Sequence, residues 1–63
     1  METLMSFRLN KGKSMQEMSE VLDLTLSYYA KIERGDRNPS YNFLCKFKKA
    51  FPQSSIDKIF FEF

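Results

Sequence analysis

Basic and hydrogen-bonding side chains gather in the middle of the chain, where they could bind phosphate groups. Lys31, Arg34 and Arg37 lie close together in the sequence, and Asn38 follows directly. Lysine binds a phosphate as a point charge, whereas arginine presents a planar fork of donors. The chemistry that these residue types favour is the binding of a polyanion.

The charges are unevenly distributed along the chain, although the net charge of +2 is small. Three acids occupy one short segment: Glu17, Glu20 and Asp23. Most of the bases follow them: Lys31, Arg34, Arg37, Lys46, Lys48 and Lys49. This asymmetry permits a basic face for nucleic acid, and a set of solvated surface lysines is the alternative.

Catalytic and metal-binding residue types are scarce. The chain has no histidine, and its single cysteine is Cys45. The commonest metal ligand and general base is therefore absent, and no disulfide can form within the chain. We expect no catalytic residues, no metal, no cofactor and no small-molecule ligand. Cys45 is expected to lie half-buried beside the core face of its helix.

The 63 residues are expected to form one domain, residues 1–63, near the lower size limit for a fold without disulfides or metal. No apolar run approaches the ~20 residues that span a bilayer. The N-terminal residues lack a basic region followed by an apolar stretch. We expect a cytoplasmic protein with no membrane partner.

Polar residues divide the chain into five segments with helical spacing, and none shows the alternation of a strand. An all-α fold is predicted. The first helix covers about residues 3–11 and stops at Gly12. The second begins after Ser14, a capping residue with which Glu17 completes a capping box.

A third helix, residues 26–34, is predicted to follow a tight turn, with Thr25 as its cap. After a loop at residues 36–39, Ser40 caps a fourth helix over residues 41–51. A short fifth helix starts at Ser55. The expected core positions are Met18, Leu22, Leu24, Tyr29, Ile32, Leu44, Phe47, Ala50, Phe51, Ile56, Ile59 and Phe60.

Helices two and three, joined by a tight turn, match the helix-turn-helix unit, which lays its second helix in the major groove of DNA. The predicted outward residues of the third helix are the candidate base contacts: Leu26, Ser27, Tyr28 and Lys31. Leucine can pack on a thymine methyl, serine can contact a base or phosphate, and lysine can meet guanine or a phosphate. For Tyr28, DNA contact and plain surface packing are both open.

The sequence resembles the Cro/repressor-like, Xre-type helix-turn-helix proteins of bacteria and their phages. The resemblance covers nearly the whole chain, at residues 7–8, 11–12, 14–22, 27–29, 32–35, 37–40 and 56–60. The run Ile-Glu-x-Gly-x-Arg-x-Pro-Ser at residues 32–40 is its most specific part. It implies a five-helix Cro/repressor-like fold and a small transcriptional repressor or regulator that binds double-stranded DNA.

The resemblance also implies an ion pair between Arg8 and Glu33 that braces the third helix. Whether this pair only ties two helices or also touches DNA is open. The candidate phosphate contacts are Arg8, Ser14, Gln16, Arg34, Arg37 and Asn38. Two departures lie near DNA: Met15 stands where the family usually has glutamine, and Asp23 replaces the usual glycine of the turn. Aspartate tolerates the left-handed conformation better than most residues.

The C-terminal part of the chain is rich in phenylalanine: Phe51, Phe60, Phe61 and Phe63. These rings predict a homodimer on a palindromic operator, with recognition helices ~34 Å apart. The alternative is that they complete a small core. A protein-binding module of the same fold, such as an antitoxin-like partner, is the alternative function.

Overall fold

The computed structural model describes residues 3–61, and in that range the chain is helical without strands. Four α-helices are followed by a short π-helical segment. They are α1 (Leu4–Asn10), α2 (Met15–Val21), α3 (Leu26–Glu33), α4 (Tyr41–Ala50) and the π-helical segment (Asp57–Phe61). The predicted all-α, five-helix fold is confirmed. Phe63, one of the predicted dimer residues, lies outside the described residues.

Every α-helix begins at a hydroxyl side chain that caps it. The hydroxyl oxygens of Thr3, Ser14, Thr25 and Ser40 accept hydrogen bonds from the amide three residues later, at 3.0, 3.1, 3.2 and 3.1 Å. The first amides of a helix have no partner within it, so these bonds fix where each helix starts. The three predicted caps are confirmed, and Thr3 is a fourth.

The first three helices end in the same way, at a residue with left-handed backbone: Gly12 (φ 69°), Asp23 (φ 56°) and Gly35 (φ 84°). At the end of α2, the amides of Asp23 and Leu24 donate to carbonyls of the last helical turn, at 3.1 and 2.9 Å. This paired arrangement is a Schellman motif, which reverses the chain sharply. It allows α3 to follow α2 after a very short turn.

One cluster of buried side chains from all four α-helices forms the core. Its members are Leu4, Phe7, Met18, Leu22, Tyr29, Ile32, Phe43 and Phe47. The remaining predicted core residues are partly buried and pack against it: Leu24, Leu44, Ala50, Phe51, Ile56, Ile59 and Phe60. The core prediction is therefore confirmed in outline.

The buried face of α4 differs from the predicted one. Phe43, absent from the predicted core, is completely buried together with Phe47, one turn later. The expected half-burial of Cys45 is wrong, since its side chain is exposed. Residue 45 stands two positions from each buried phenylalanine, which places it on the opposite side of the helix.

Aromatic rings from α1, α4 and the C-terminal segment pack together, in tilted and edge-to-face pairs. Phe7 lies 5.1 Å from both Phe47 and Phe51, between ring centroids. Phe60 lies 5.8 Å from Phe43 and 5.4 Å from Phe47, in T-shaped pairs. Such pairs are favourable beyond the apolar area that they bury. Phe51 and Phe60 thus help to complete the core.

Candidate nucleic-acid interface

Helix α3 is braced from behind by an ion pair with α1. Arg8 donates from Nε to Glu33 Oε2 at 2.9 Å and from Nη2 to Glu33 Oε1 at 3.0 Å. Its Nη1 donates to the carbonyl of Lys13 at 2.9 Å, and the Tyr29 hydroxyl donates to Glu33 Oε2 at 2.6 Å. A bidentate pair held from two further sides fixes the orientation of both side chains.

This network shifts the pKa values of its members. Burial alone would raise the pKa of Glu33, but the hydrogen bonds from Arg8 and Tyr29 outweigh it and lower the pKa. The hydrogen bond to Glu33 raises the pKa of Arg8. Burial, reinforced by the bond to Glu33, raises the pKa of Tyr29. The pair is therefore charged across the neutral pH range.

The predicted pairing of Arg8 with Glu33 is confirmed. Only 11% of the Arg8 side chain and 5% of the Glu33 side chain are exposed. Three nitrogens of the guanidinium already donate to protein oxygens. The geometry accounts for Arg8 as a brace, and its contact with a phosphate stays a prediction.

The outer face of α3 carries three of the four candidate base contacts. Leu26 is 43% exposed, and Ser27 and Lys31 are also exposed, one helical turn apart. On the opposite side of the helix, Tyr29 and Ile32 are buried in the core. The helix therefore presents an apolar, a hydroxyl and a cationic side chain outward, in that order along the chain.

Tyr28 is less exposed than these three residues, and its contact with DNA stays a prediction. Its side chain is half-buried, and its ring meets Phe43 edge on, with centroids 6.5 Å apart. Its hydroxyl lies 3.1 Å from Ser40 Oγ. Tyr28 therefore contacts the start of α4 through both its ring and its hydroxyl.

The loop after α3 holds the remaining basic candidates. Arg34 and Asp36 form an exposed ion pair at 3.3 Å, with about three-fifths of each side chain in solvent. The Arg37 guanidinium lies over the Tyr28 ring, 5.3 Å from its centroid, and Asn38 is exposed. These side chains flank the end of α3 that is distant from Leu26.

Ser14 and Gln16 stand at the start of α2 and are exposed. Glu17 Oε1 accepts from the Ser14 amide at 2.8 Å, and this bond lowers the pKa of Glu17. Gln16 Nε2 donates to Glu20 Oε2 at 3.1 Å. The capping box is confirmed, and phosphate contacts by Ser14 and Gln16 stay predictions.

Two contacts that matter here were not anticipated from the sequence. The carbonyl of Lys13 orients Arg8, and Phe43 supports the ring of Tyr28. The first follows from the left-handed turn at Gly12, which a sequence pattern does indicate. The second depends on the rotation of α4, which no local pattern fixes.

Residues 3–61 contain neither a metal-binding cluster nor a membrane-spanning helix. Within that range no three potential ligands of the His, Cys, Asp and Glu types come together around a common point. No helix there combines the length and apolar character needed to cross a membrane.

Comparison with known proteins gives one match. Residues 4–59 match the model of a family described as helix-turn-helix, a family of DNA-binding domains. The match runs from the first residue of α1 into the C-terminal segment. No curated protein and no solved structure matches the chain.

Proposed function

The chain belongs to the Cro/C1-type, Xre-like helix-turn-helix family of DNA-binding domains, and we propose that it is a transcriptional repressor that binds operator DNA sequence-specifically. The recognition helix, residues 26–34, would lie in the major groove with Leu26, Ser27 and Lys31 toward the bases. The observation that carries this proposal is the exposed face of α3 on a helix braced from behind by a buried ion pair. A rigid helix presents its side chains to the groove at fixed positions.

The phosphate backbone would be held on either side of the groove. Arg34, Arg37 and Asn38 flank the end of α3, and Ser14 and Gln16 lie at the start of α2. Such contacts supply affinity and fix register without reading sequence. In this arrangement Arg8 contributes by orienting α3.

The outward residues of α3 also suggest which DNA bases the protein recognises. Leu26 offers no hydrogen bond, so it can only recognise an apolar feature, and the thymine methyl is the one that the major groove provides. Lys31 can donate to the acceptors of guanine. We propose that each half-site of the operator contains a thymine and a guanine.

Selection of bound sequences from a random pool of duplexes is the first test. The proposal predicts an enriched half-site and binding that weakens as salt rises, with a steep slope in log–log form. Pools that show no enrichment, together with weak sequence-independent binding, would contradict it. They would instead favour the protein-binding alternative, which a stable complex with that partner would establish.

A matched pair of variants then tests the assignment of α3. Lys31→Gln should weaken binding to the enriched site roughly tenfold, since a good base contact contributes about 1–3 kcal/mol. Lys49→Gln removes the same charge from α4, where Lys49 lines a cleft with Leu22 and Ala50. It should change binding far less. Equal losses in the two variants would mean that only net charge matters.

The regulatory role requires its own measurement. A reporter promoter that overlaps the enriched site should fall in output when the chain is expressed in the cytoplasm of a bacterium. Lys31→Gln should restore the output. A rise in output with the wild-type chain would indicate an activator.

We further propose that the chain acts as a homodimer on a palindromic site. Large apolar side chains remain exposed on the single chain, at Met5 (50%), Leu9 (60%) and Phe61 (52%). Exposed apolar side chains of this size favour burial against a partner. A two-fold dimer would set two half-sites about one DNA turn apart, ~34 Å.

A further inference from the structure

Tyr28 connects three parts of the molecule at the end of the recognition helix. Its ring rests against Phe43 of α4, and its hydroxyl lies 3.1 Å from Ser40 Oγ. The Arg37 guanidinium lies over the same ring, 5.3 Å from its centroid. Ser40 in turn caps α4 by accepting from the Phe43 amide at 3.1 Å.

The backbone of the loop is fixed at the same point. The amides of Asp36 and Arg37 both donate to the carbonyl of Lys31, at 2.8 and 3.3 Å. The loop therefore leaves α3 in a defined direction. Among residues 3–61 the ion pairs involve Arg8, Arg34 and Lys46 rather than Arg37, whose guanidinium instead meets the Tyr28 ring.

We infer that Tyr28 is a positioning residue, which holds the Arg37 guanidinium ready for a DNA phosphate beside the end of α3. This inference rests on the proposed function. A guanidinium within about 6 Å of a ring is attracted to it and loses part of its rotational freedom. A contact with the ring uses none of the N–H donors of Arg37 in a conventional hydrogen bond, so these donors stay available to a phosphate. Tyr28 is not a reader of bases in this arrangement.

The test is the salt dependence of binding to the enriched duplex, measured by fluorescence anisotropy. Arg37→Gln should reduce the log–log slope by about one, because one phosphate contact is lost. Tyr28→Leu changes no charge, yet it should weaken binding about two- to fivefold and lower the slope in the same direction. Tyr28→Phe keeps the ring and should keep the wild-type slope.

The double variant Tyr28→Leu with Arg37→Gln should bind like Arg37→Gln alone, because Tyr28 acts through Arg37. Thermal melts accompany each variant, since Tyr28 also packs on Phe43. If Tyr28→Leu does not fold, Tyr28→Met fills a similar volume without an aromatic face and gives the same test.

Two outcomes would overturn the inference separately from the proposed function. One is a wild-type slope in folded Tyr28→Leu, and the other is a further loss of affinity when it is added to Arg37→Gln. Either result would make Tyr28 a direct contact or a purely structural residue. A random pool from which the wild-type chain enriches no sequence would overturn the proposed function, and this inference with it.

Discussion

At Glu33 a single carboxylate accepts hydrogen bonds from Arg8 and Tyr29, and only 5% of its side chain is exposed. A buried charge is tolerable only when its partners replace the water that it loses. Removing the charge leaves Arg8 buried without its counter-ion. The cost of that change is therefore larger than the value of the pair itself.

Glu33→Gln should lower the free energy of unfolding by about 3 kcal/mol. Tyr29→Phe removes one donor and should lower it by about 1.5–3 kcal/mol, the usual value of a hydrogen bond to a charged group. Urea unfolding at pH 7 measures both. A loss below 1 kcal/mol for Glu33→Gln would mean that the pair adds little to the stability of the fold.

The same carboxylate predicts acid sensitivity. The pKa of Glu33 in the folded chain lies below its ordinary value of 4.5. The unfolded chain therefore binds the proton more readily, and stability is lost as pH falls from the ordinary pKa through the lowered one. Above pH 4.5 the contribution is complete.

Between pH 7 and pH 3.5, wild type should therefore lose more stability than Glu33→Gln. Part of the acid sensitivity should remain in the variant, because the pKa of Glu17 is also lowered by its bond from the Ser14 amide. Identical pH profiles for wild type and Glu33→Gln would contradict the assignment.

Leu26 permits a prediction about the DNA rather than the protein. Replacing the contacted thymine of the enriched site by deoxyuridine removes one methyl group, so binding should weaken about fourfold, by ~0.8 kcal/mol. In Leu26→Ala the same replacement should have almost no effect. Competition binding with the two duplexes measures the difference, and an equal penalty in both proteins would remove Leu26 from the base contacts.

The turn between α2 and α3 sets the geometry of the whole motif. Asp23 occupies its left-handed position at φ 56°, where glycine carries no steric cost. The Asp23 side chain is 99% exposed, and its carboxylate lies as far as 4.0 Å from Lys46 Nζ, so this ion pair adds little stability. Lys46 Nζ donates a hydrogen bond to the backbone carbonyl of Asp23 at 3.0 Å. Because this bond uses the backbone, replacing the side chain of Asp23 does not remove it.

Asp23→Gly should therefore stabilise the fold by about 0.5–1 kcal/mol, and Asp23→Ala should destabilise it by about as much. Both variants remove the same charge, so the difference between them isolates the backbone conformation. Urea midpoints at pH 7 measure it. Equal midpoints would show that the turn tolerates a Cβ atom without strain.

Local patterns in the sequence determine where the helices begin and end. The caps Ser14, Thr25 and Ser40 and the stops at Gly12 and Gly35 could be predicted because each acts within a few residues of itself. The rotation of α4 could not. Its sequence offers two overlapping apolar stripes, one through Phe43 and one through Leu44, and contact with the other helices decides between them.

The error at α4 also explains the error at Cys45. Once Phe43 turns inward, Cys45 must turn outward, and the Phe43 ring comes within reach of the Tyr28 ring. The exposure of Leu26, Ser27 and Lys31 could be predicted because helical periodicity within α3 determines it. The contact of the Tyr28 ring with Phe43 could not, because it depends on how α3 and α4 pack together.

At the scale of the whole molecule, stability is limited by size. A chain of 63 residues has a free energy of unfolding of about 3–9 kcal/mol, so one core ring is a large share of it. The C-terminal segment contributes Phe60, which packs on Phe43 and Phe47, and Phe61, which is 52% exposed. Adjacent phenylalanines thus have different surroundings: Phe60 completes the core, and Phe61 is the ring left for the proposed dimer interface.

Phe60→Ala should lower the free energy of unfolding by about 2 kcal/mol at any protein concentration, because it removes a half-buried ring from the core of each chain. Phe61→Ala should change the stability of the single chain by less than about 0.5 kcal/mol.

If Phe61 lies in the dimer interface, this variant should instead weaken association of the two chains, by tenfold or more for a central aromatic contact. Urea unfolding at low concentration and sedimentation at rising concentration separate the two effects, since only association depends on concentration. A Phe61→Ala chain that dimerises like wild type would place the interface elsewhere, and Met5 and Leu9 on the exposed side of α1 would then be the residues to replace.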